Sequence, residues 1–372
     1  MKAAMVFQKR VEKLIERSKE MLIDALIIRN PPNLRYIANV RSHVDPEMTV
    51  IIDTQGEIAL LTPEYEIERV KQETWIRNLI PYSYTSKPPF LIDKIEEFLR
   101  ETKAYKGNIG IEKNFITARD KEELQRRLPN AKFLSISDLL SDLRVIKTAE
   151  EISMIKKAAE LVDRGVESAV ETLEEGITEK KISAAAEYTM TIEGSEGVPF
   201  PTLISSGKRT SVVHSYPSDK PISRGEIVLL DMGSNYRGYL GDITRVAFIG
   251  EPNVKQRRRF EIVFQALETA VNSIRPGVKA SEVDKAARKV VESNGYGEYY
   301  LYPTGRGMGL EIHENPWCRE GDDTELQENM ILGLFPGIYI DGEGGIRIED
   351  MILVTKDGAE FLTKYDRSLI IR

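Results

Sequence analysis

Asp231 ends the apolar run Ile227-Val228-Leu229-Leu230, and Asp242 follows beyond Asn235-Tyr236-Arg237-Gly238. A strand, a tight turn and a returning strand would set the two carboxylates side by side. Neighbouring carboxylates repel each other, so a cation is expected between them. A metal ion is one solution and a basic side chain is another. A third alternative involves no catalysis: loop-end aspartates are commonly satisfied by backbone amides.

The elements that would carry these residues follow from hydropathy patterning. Residues 7–22 hold Phe7, Val11, Leu14, Ile15 and Leu22 at helical spacing, and Ala25–Ile28 has the composition of a buried strand. Thr49–Ile52 and Ile58–Leu61 flank Asp53-Thr54-Gln55-Gly56, a hairpin signature. Two helix-then-strand units come next, Ile92–Leu99 with Ile109–Ile111 and Lys121–Leu128 with Phe133–Ser135. This alternation predicts an α/β domain over residues 1–143. Residues 144–372 read as a second, α+β domain with an antiparallel sheet. Its helices are expected at Ala149–Leu173, Glu179–Ile192, Asn253–Ile274 and Ala280–Ser293. Its strands are expected at Ile227–Met232, Thr244–Ile249, Met330–Leu334 and Ile346–Leu353.

Bulk properties exclude several classes. A chain of 372 residues exceeds the usual single core, and 41% hydrophobic with 30% charged residues describes a globular protein. A net charge of −7 without a basic stripe opposes binding to nucleic acid or to anionic membrane. Arg257-Arg258-Arg259 is expected to lie on a solvated helix face. Cys318 is the single cysteine, which suits a reducing cytoplasm, and no partner beside it suggests a nucleophile. Residues 1–10 lack the apolar core of a signal peptide, and no run approaches the ~20 apolar residues of a membrane span.

Other motifs fail on their own terms. Gly305, Gly307 and Gly309 lack the spacing and the following helix of a dinucleotide loop. Gly207-Lys208 has Thr202 where a phosphate loop needs glycine. Ser205 and Ser206 lack the glycines of a nucleophile elbow.

Over nearly its whole length the chain resembles the prolidase, aminopeptidase P and creatinase family, which shares the pita-bread fold with methionine aminopeptidase. The resemblance rests on ordered signatures besides the two aspartates. Leu143-Arg144-Val145-Ile146-Lys147, with Glu150, Glu151 and Ile152, opens the second domain. Ser205-Ser206-Gly207-Lys208 leads to His214, and Gly305-Arg306-Gly307-Met308-Gly309-Leu310 leads to His313-Glu314. Pro336-Gly337-Ile338-Tyr339 and Gly345-Ile346-Arg347-Ile348-Glu349-Asp350 complete the set.

The resemblance implies five ligands around two metal ions. Asp231, Asp242 and Glu349 fall on three of those positions. Arg306 stands where the family has histidine, and Phe335 where it has glutamate. In the family those two residues serve the same ion. Arginine, always protonated and fork-shaped, could enter the vacated place and bind Asp242, Glu349 or both. No metal cofactor is therefore expected, the alternative being one weakly held Mn²⁺ or other divalent ion. His214 and His313 fall on substrate-side histidine positions and are the candidate catalytic residues, while Thr244 and Arg347 fall behind the ligands. Arg306, Phe335, Tyr216, Arg347 and Thr244 are expected around the substrate pocket, with Tyr216 either narrowing it or turning its loop.

Whether the protein is an enzyme stays open at this point. One expectation is a prolidase-like protein inactive as a dinuclear peptidase, which binds peptides or a partner. The alternatives are a metal-independent, creatinase-like hydrolase of a small C–N compound, and an Xaa-Pro dipeptidase with one metal. A homodimer is expected by family analogy.

Overall fold

Val11 and Leu14 turn inward on the first helix, α1 (Lys2–Glu20), of a computed structural model that describes residues 2–42, 47–85, 87–88 and 90–372. The chain divides into two compact units, one ending at Leu143 and the other beginning at Arg144. In the first, β1 (Ala25–Ile28) is followed by α2 (Pro31–Ala38), β2 (Thr49–Asp53), β3 (Ile58–Pro63), α3 (Ile67–Glu73) and β4 (Leu79–Tyr82). Then come α4 (Leu91–Glu101), β5 (Asn108–Ile111), α5 (Ala118–Arg127), β6 (Lys132–Ser135) and α6 (Ser137–Val145). The strands make one mixed sheet in the order β4-β3-β2-β1-β5-β6. Ile27, Ile51, Leu61 and Ile109 pack there against Ile95, Phe98 and Leu99 of α4 and Leu124 of α5. The expected hairpin forms between β2 and β3, with the Asp53 carboxylate accepting from the amides of Gln55, Gly56 and Glu57.

Some elements of this unit escaped the hydropathy pattern. The Pro31-Pro32 pair starts α2, because a missing N–H costs nothing in a first helical turn. β4 carries Pro81 and lies at the sheet edge, where proline is tolerated.

The second unit opens with α7 (Ala149–Thr172), capped by reciprocal bonds between Thr148 and Glu151, and α8 (Glu179–Ile192). Next are β7 (Leu203–Ser206), the long hairpin β8 (Ile227–Tyr236) and β9 (Tyr239–Phe248), and the helices α9 (Val254–Ser273) and α10 (Ala280–Ser293). The chain finishes with β10 (Gly305–Gly307), β11 (Glu314–Cys318), β12 (Ile331–Leu334), β13 (Gly337–Ile340), β14 (Gly344–Arg347), β15 (Asp350–Val354), β16 (Ala359–Phe361) and β17 (Ile370–Ile371). One sheet runs β17-β9-β8-β7 and another, antiparallel throughout, runs β11-β10-β12-β15-β16.

The two-residue period of β8 and β9 sorts their side chains. Val228, Leu230, Met232, Ile243 and Ala247 face α7 and α8. Ile227, Leu229, Val246 and Phe248 face the other way, toward α9 and α10. Asp231, Asp242 and Thr244 continue that second face past the end of its apolar stretch. The hairpin turns at Arg237 (φ 53°) and Gly238 (φ 85°), and successive positive φ values match the right-handed twist of the strands.

Two expectations need correction. Arg257 and Arg258 are exposed, but Arg259 is buried and donates from Nη1 to the Gly344 carbonyl at 3.2 Å, because helical periodicity turns it inward. Ile346–Leu353 is not one strand: β14 pairs with β13, β15 pairs with β12, and Ile348-Glu349 lies between them.

Behind the chain segment that leads to His313, Glu314 is buried among Arg144, Lys147 and the amides of Leu310 and Glu311. Burial alone would raise its pKa, but Lys147 and Arg144 outweigh burial and bring the carboxyl from 4.5 to about 2.

Two stability predictions follow from these contacts. Gly238→Ala forces a side chain into left-handed backbone and is expected to cost about 1–2 kcal/mol, measured by urea denaturation. Glu314→Gln removes the carboxylate that Lys147 and Arg144 share, Arg144 keeping its pair with Glu311, and is expected to cost about 3–5 kcal/mol at pH 7. Because the folded pKa is depressed, that contribution is full above about pH 4.5 and lost as pH falls through about 2. Denaturation curves of parent and variant should therefore converge on acidification.

Candidate functional site

The hairpin register sets Asp231 opposite Thr244 and Gly233 opposite Asp242, so both carboxylates stand diagonally on one face. Glu349 joins them through a backbone bridge: its N–H donates to the Thr244 carbonyl at 3.1 Å, and the Thr244 N–H returns a bond at 3.3 Å. The break between β14 and β15 is what allows this docking. Arg245 fastens it from behind, donating to the carbonyls of Thr244 and Glu349 and to the Asp350 carboxylate at 3.0, 2.8 and 2.7 Å. One oxygen from each of Asp231, Asp242 and Glu349 lies within 4.8 Å of the others, a grouping that could hold a metal ion.

Two guanidinium groups reach this cluster. Arg306, on β10, places Nη2 2.5 Å from Asp242 Oδ2 and Nη1 3.2 Å from Glu349 Oε1. Arg347, on β14, pairs with Asp231 through Nη2, donates from Nε to Thr244 Oγ1 at 3.1 Å, and donates from Nη1 to the Tyr339 hydroxyl at 2.8 Å. The Thr244 hydroxyl in turn donates a hydrogen bond to Glu349 Oε2 at 3.2 Å. Burial opposes the charge of Arg347, but Tyr339, Asp231 and Glu349 outweigh it and raise its pKa.

Phe335 follows β12, and its ring lies under the Arg306 guanidinium, 4.9 Å from centroid to Cζ, within cation–π range. Gly333 completes the seat. It pairs directly with Arg306 across β12 and β10, and a Cβ there would collide with Arg306 Nη1. Nothing in the sequence pattern flags this glycine; only the strand register does.

Burial is the first cause of the raised pKa of Asp242, followed by the charge of Glu349, with Arg306 opposing both. Asp231 is raised for the same first reason, against the pull of Arg347. By formal charge three carboxylates share two guanidiniums here, which adds to the effect of burial.

These residues form the floor of a cavity of about 570 Å³, within the size range of small-ligand sites. His214, Tyr216 and His313 line it from exposed positions. Tyr216 also turns its loop, its carbonyl accepting from Arg209 at 2.7 Å. Partial desolvation, and then the Arg306 charge, hold His313 below its ordinary pKa. The walls include Phe200, Tyr302, Trp317 and Tyr339. Of these only Tyr339 fell within a motif, and no sequence spacing points to the others. Cys318 is buried away from the cavity lining, and burial raises its thiol pKa.

Comparison with known proteins agrees with this architecture. Residues 10–146 match the Creatinase/Prolidase N-terminal domain, and residues 153–356 match Metallopeptidase family M24. An Xaa-Pro dipeptidase of Pyrococcus horikoshii is 39% identical over 370 residues, covering 98% of this chain and 99% of the relative. The crystal structure of the prolidase from Pyrococcus horikoshii OT3 superposes with a TM-score of 0.88 at 38% identity, covering 97% of this chain and 100% of that one. An Xaa-Pro dipeptidase from Bacillus anthracis superposes at 0.90 with 32% identity, covering 98% of this chain and 100% of its own. With both domain matches, the hairpin aspartates and the docked Glu349 in hand, the chain belongs to Metallopeptidase family M24 and carries the Creatinase/Prolidase N-terminal domain.

Proposed function

We propose that this protein binds peptides in the M24 pocket without the dinuclear metal chemistry of a metallopeptidase. The observation that carries this reading is the guanidinium of Arg306 between Asp242 and Glu349. A fixed cation already neutralises the carboxylates that a second ion would need. Phe335 offers an aromatic face where an oxygen ligand would be required, and Gly333 leaves room for the arginine and for no side chain of its own. Two divalent ions added to this set would turn one surplus negative charge into three positive ones, in a place shielded from water. The residues present therefore do not fit the pair of ions that the family description implies.

What remains is a cavity with an aromatic wall, a charged floor and two histidines. His214 and His313 can donate to a carbonyl or carboxylate oxygen of a bound peptide, and the apolar walls can take its side chains. The names of the relatives, Xaa-Pro dipeptidases, make a short peptide the natural ligand class. A second reading, an Xaa-Pro dipeptidase with one metal, draws on the oxygens of Asp231, Asp242 and Glu349 within 4.8 Å of one another. We place the protein in the cytoplasm, on its single cysteine, and expect a homodimer by family analogy.

Metal binding and turnover test this reading. Protein purified without added metal is expected to show no tight Mn²⁺ site by calorimetry and no hydrolysis of Met-Pro with or without Mn²⁺. Mn²⁺-dependent turnover that disappears in Asp231→Asn would establish the one-metal reading instead. The double change Arg306→His with Phe335→Glu is expected to create Mn²⁺ binding absent from the parent; a folded double variant that binds none refutes the role given to these two positions. Gly333→Ala is expected to displace the Arg306 side chain and lower stability by about 1–3 kcal/mol in urea denaturation, as overpacking does.

A further inference from the structure

Glu179, at the start of α8, is fully buried and does not line the cavity. Among the described residues its carboxylate accepts five hydrogen bonds. Oε1 takes the N–H and the hydroxyl of Ser206, both at 2.8 Å, and Nε of Arg209 at 3.3 Å. Oε2 takes the N–H and the hydroxyl of Ser218 at 2.9 and 2.6 Å. Ser206 ends β7 and Ser218 follows the loop 207–217, so one carboxylate grips both ends of that loop. The loop carries His214 and Tyr216, which stand exposed at the cavity. We propose that Glu179 is the positioning residue of this loop: it touches no ligand itself and sets where His214 and Tyr216 meet one. Its bearing on recognition rests on the peptide-binding reading above.

A buried carboxylate whose two oxygens are both occupied is hard to displace, because moving it strands donors away from water. The first turn of α8 adds to the hold. The Glu179 N–H donates to the Lys220 carbonyl at 3.3 Å, and the Lys180 N–H to the Ser218 carbonyl at 3.2 Å. Lys220 Nζ then donates to Ser206 Oγ at 2.8 Å, which ties the two ends of the loop to each other. At the start of the loop, Thr210 Oγ1 accepts from the Gly345 N–H at 2.8 Å. Past that point the fastening is thin. From Val213 to Pro217, the bond from Arg209 Nη2 to the Tyr216 carbonyl, at 2.7 Å, is the one hydrogen bond found among the described residues. Arg209 is itself held by Glu179, so the tip takes its position from the buried carboxylate. Val212 and Tyr216 are 59% and 62% exposed, so anchoring rather than packing fixes the tip. The tip meets the cavity wall through rings, His214 lying 6.5 Å from Tyr302.

The chain has three histidines, so imidazole NMR of the full chain with isotope-labelled histidine reads the loop directly. His214→Asn identifies the His214 signal, and Tyr302→Leu, which removes the neighbouring ring, is expected to shift it. Glu179→Gln keeps the shape but leaves one accepting oxygen in place of two, so one end of the loop loses its backbone anchor. It is expected to move the His214 signal, to abolish the response to Tyr302→Leu and to leave the His313 signal in place. Arg209→Met, at a partly exposed position, is expected to act in the same direction, and it decides the matter should Glu179→Gln fail to fold. A His214 signal that keeps its position and its response to Tyr302→Leu in the folded variants overturns the assignment, whatever the loss of stability in urea. A His313 signal that moves as far as that of His214 overturns it too. Affinity for Met-Pro, by calorimetry, is expected to fall about tenfold in Glu179→Gln, yet to be unchanged by that substitution in a chain already carrying His214→Ala and Tyr216→Ala. Equal losses in both backgrounds overturn the assignment. A parent that binds no Met-Pro sinks the peptide-binding reading instead, and the His214 signal then decides the positioning alone.

Discussion

The contact between Arg306 and the carboxylates of Asp242 and Glu349 governs the site. Like charges cannot be buried together without a counterion, and here the counterion is covalently part of the chain. A guanidinium differs from a metal ion in what it can do with that position. It is planar, donates hydrogen bonds in fixed directions and does not accept a water molecule as a ligand. It organises oxygen atoms well, but it does not provide the Lewis acidity through which a metal generates hydroxide near neutral pH.

Around that contact the scaffold is arranged to keep the carboxylates still. The long hairpin delivers Asp231 and Asp242 on one face, and the bridge to Thr244 delivers Glu349. Arg245 lies behind them with five hydrogen bonds, two of them to the carbonyls of Tyr365 and Asp366 near the end of the chain. Glu314 draws Arg144, Lys147 and the turn before His313 together in the same unit. These paired buried charges give the floor a single geometry, which matters more for recognition than for net stability.

Much of this was legible in the residues. Alternating hydropathy located β8 and β9, and the Asn235–Gly238 turn said that they return on each other, because two-residue turns with glycine impose antiparallel pairing. The sequence placed Arg306 and Phe335 in the same motif region as the carboxylates, and the two side chains meet there. Gly333 was silent, because its meaning lies in the register between β10 and β12, which local patterning does not encode. The split of Ile346–Leu353 was hidden for a related reason: a run of strand-forming residues looks continuous even where the chain leaves one sheet and enters another. Tyr302 and Trp317 reach the cavity from loop and edge positions, and tertiary packing alone brings them there.

Gly333 has a bearing on where the side chain at 306 can lie. As the Arg306 guanidinium lies, a Cβ at 333 would fall on its Nη1, so this placement of the arginine goes with a bare backbone on the opposite strand. A side chain at 333 would have to push that guanidinium away from Asp242 and Glu349. The two positions are therefore linked through space, and a change at one constrains the other.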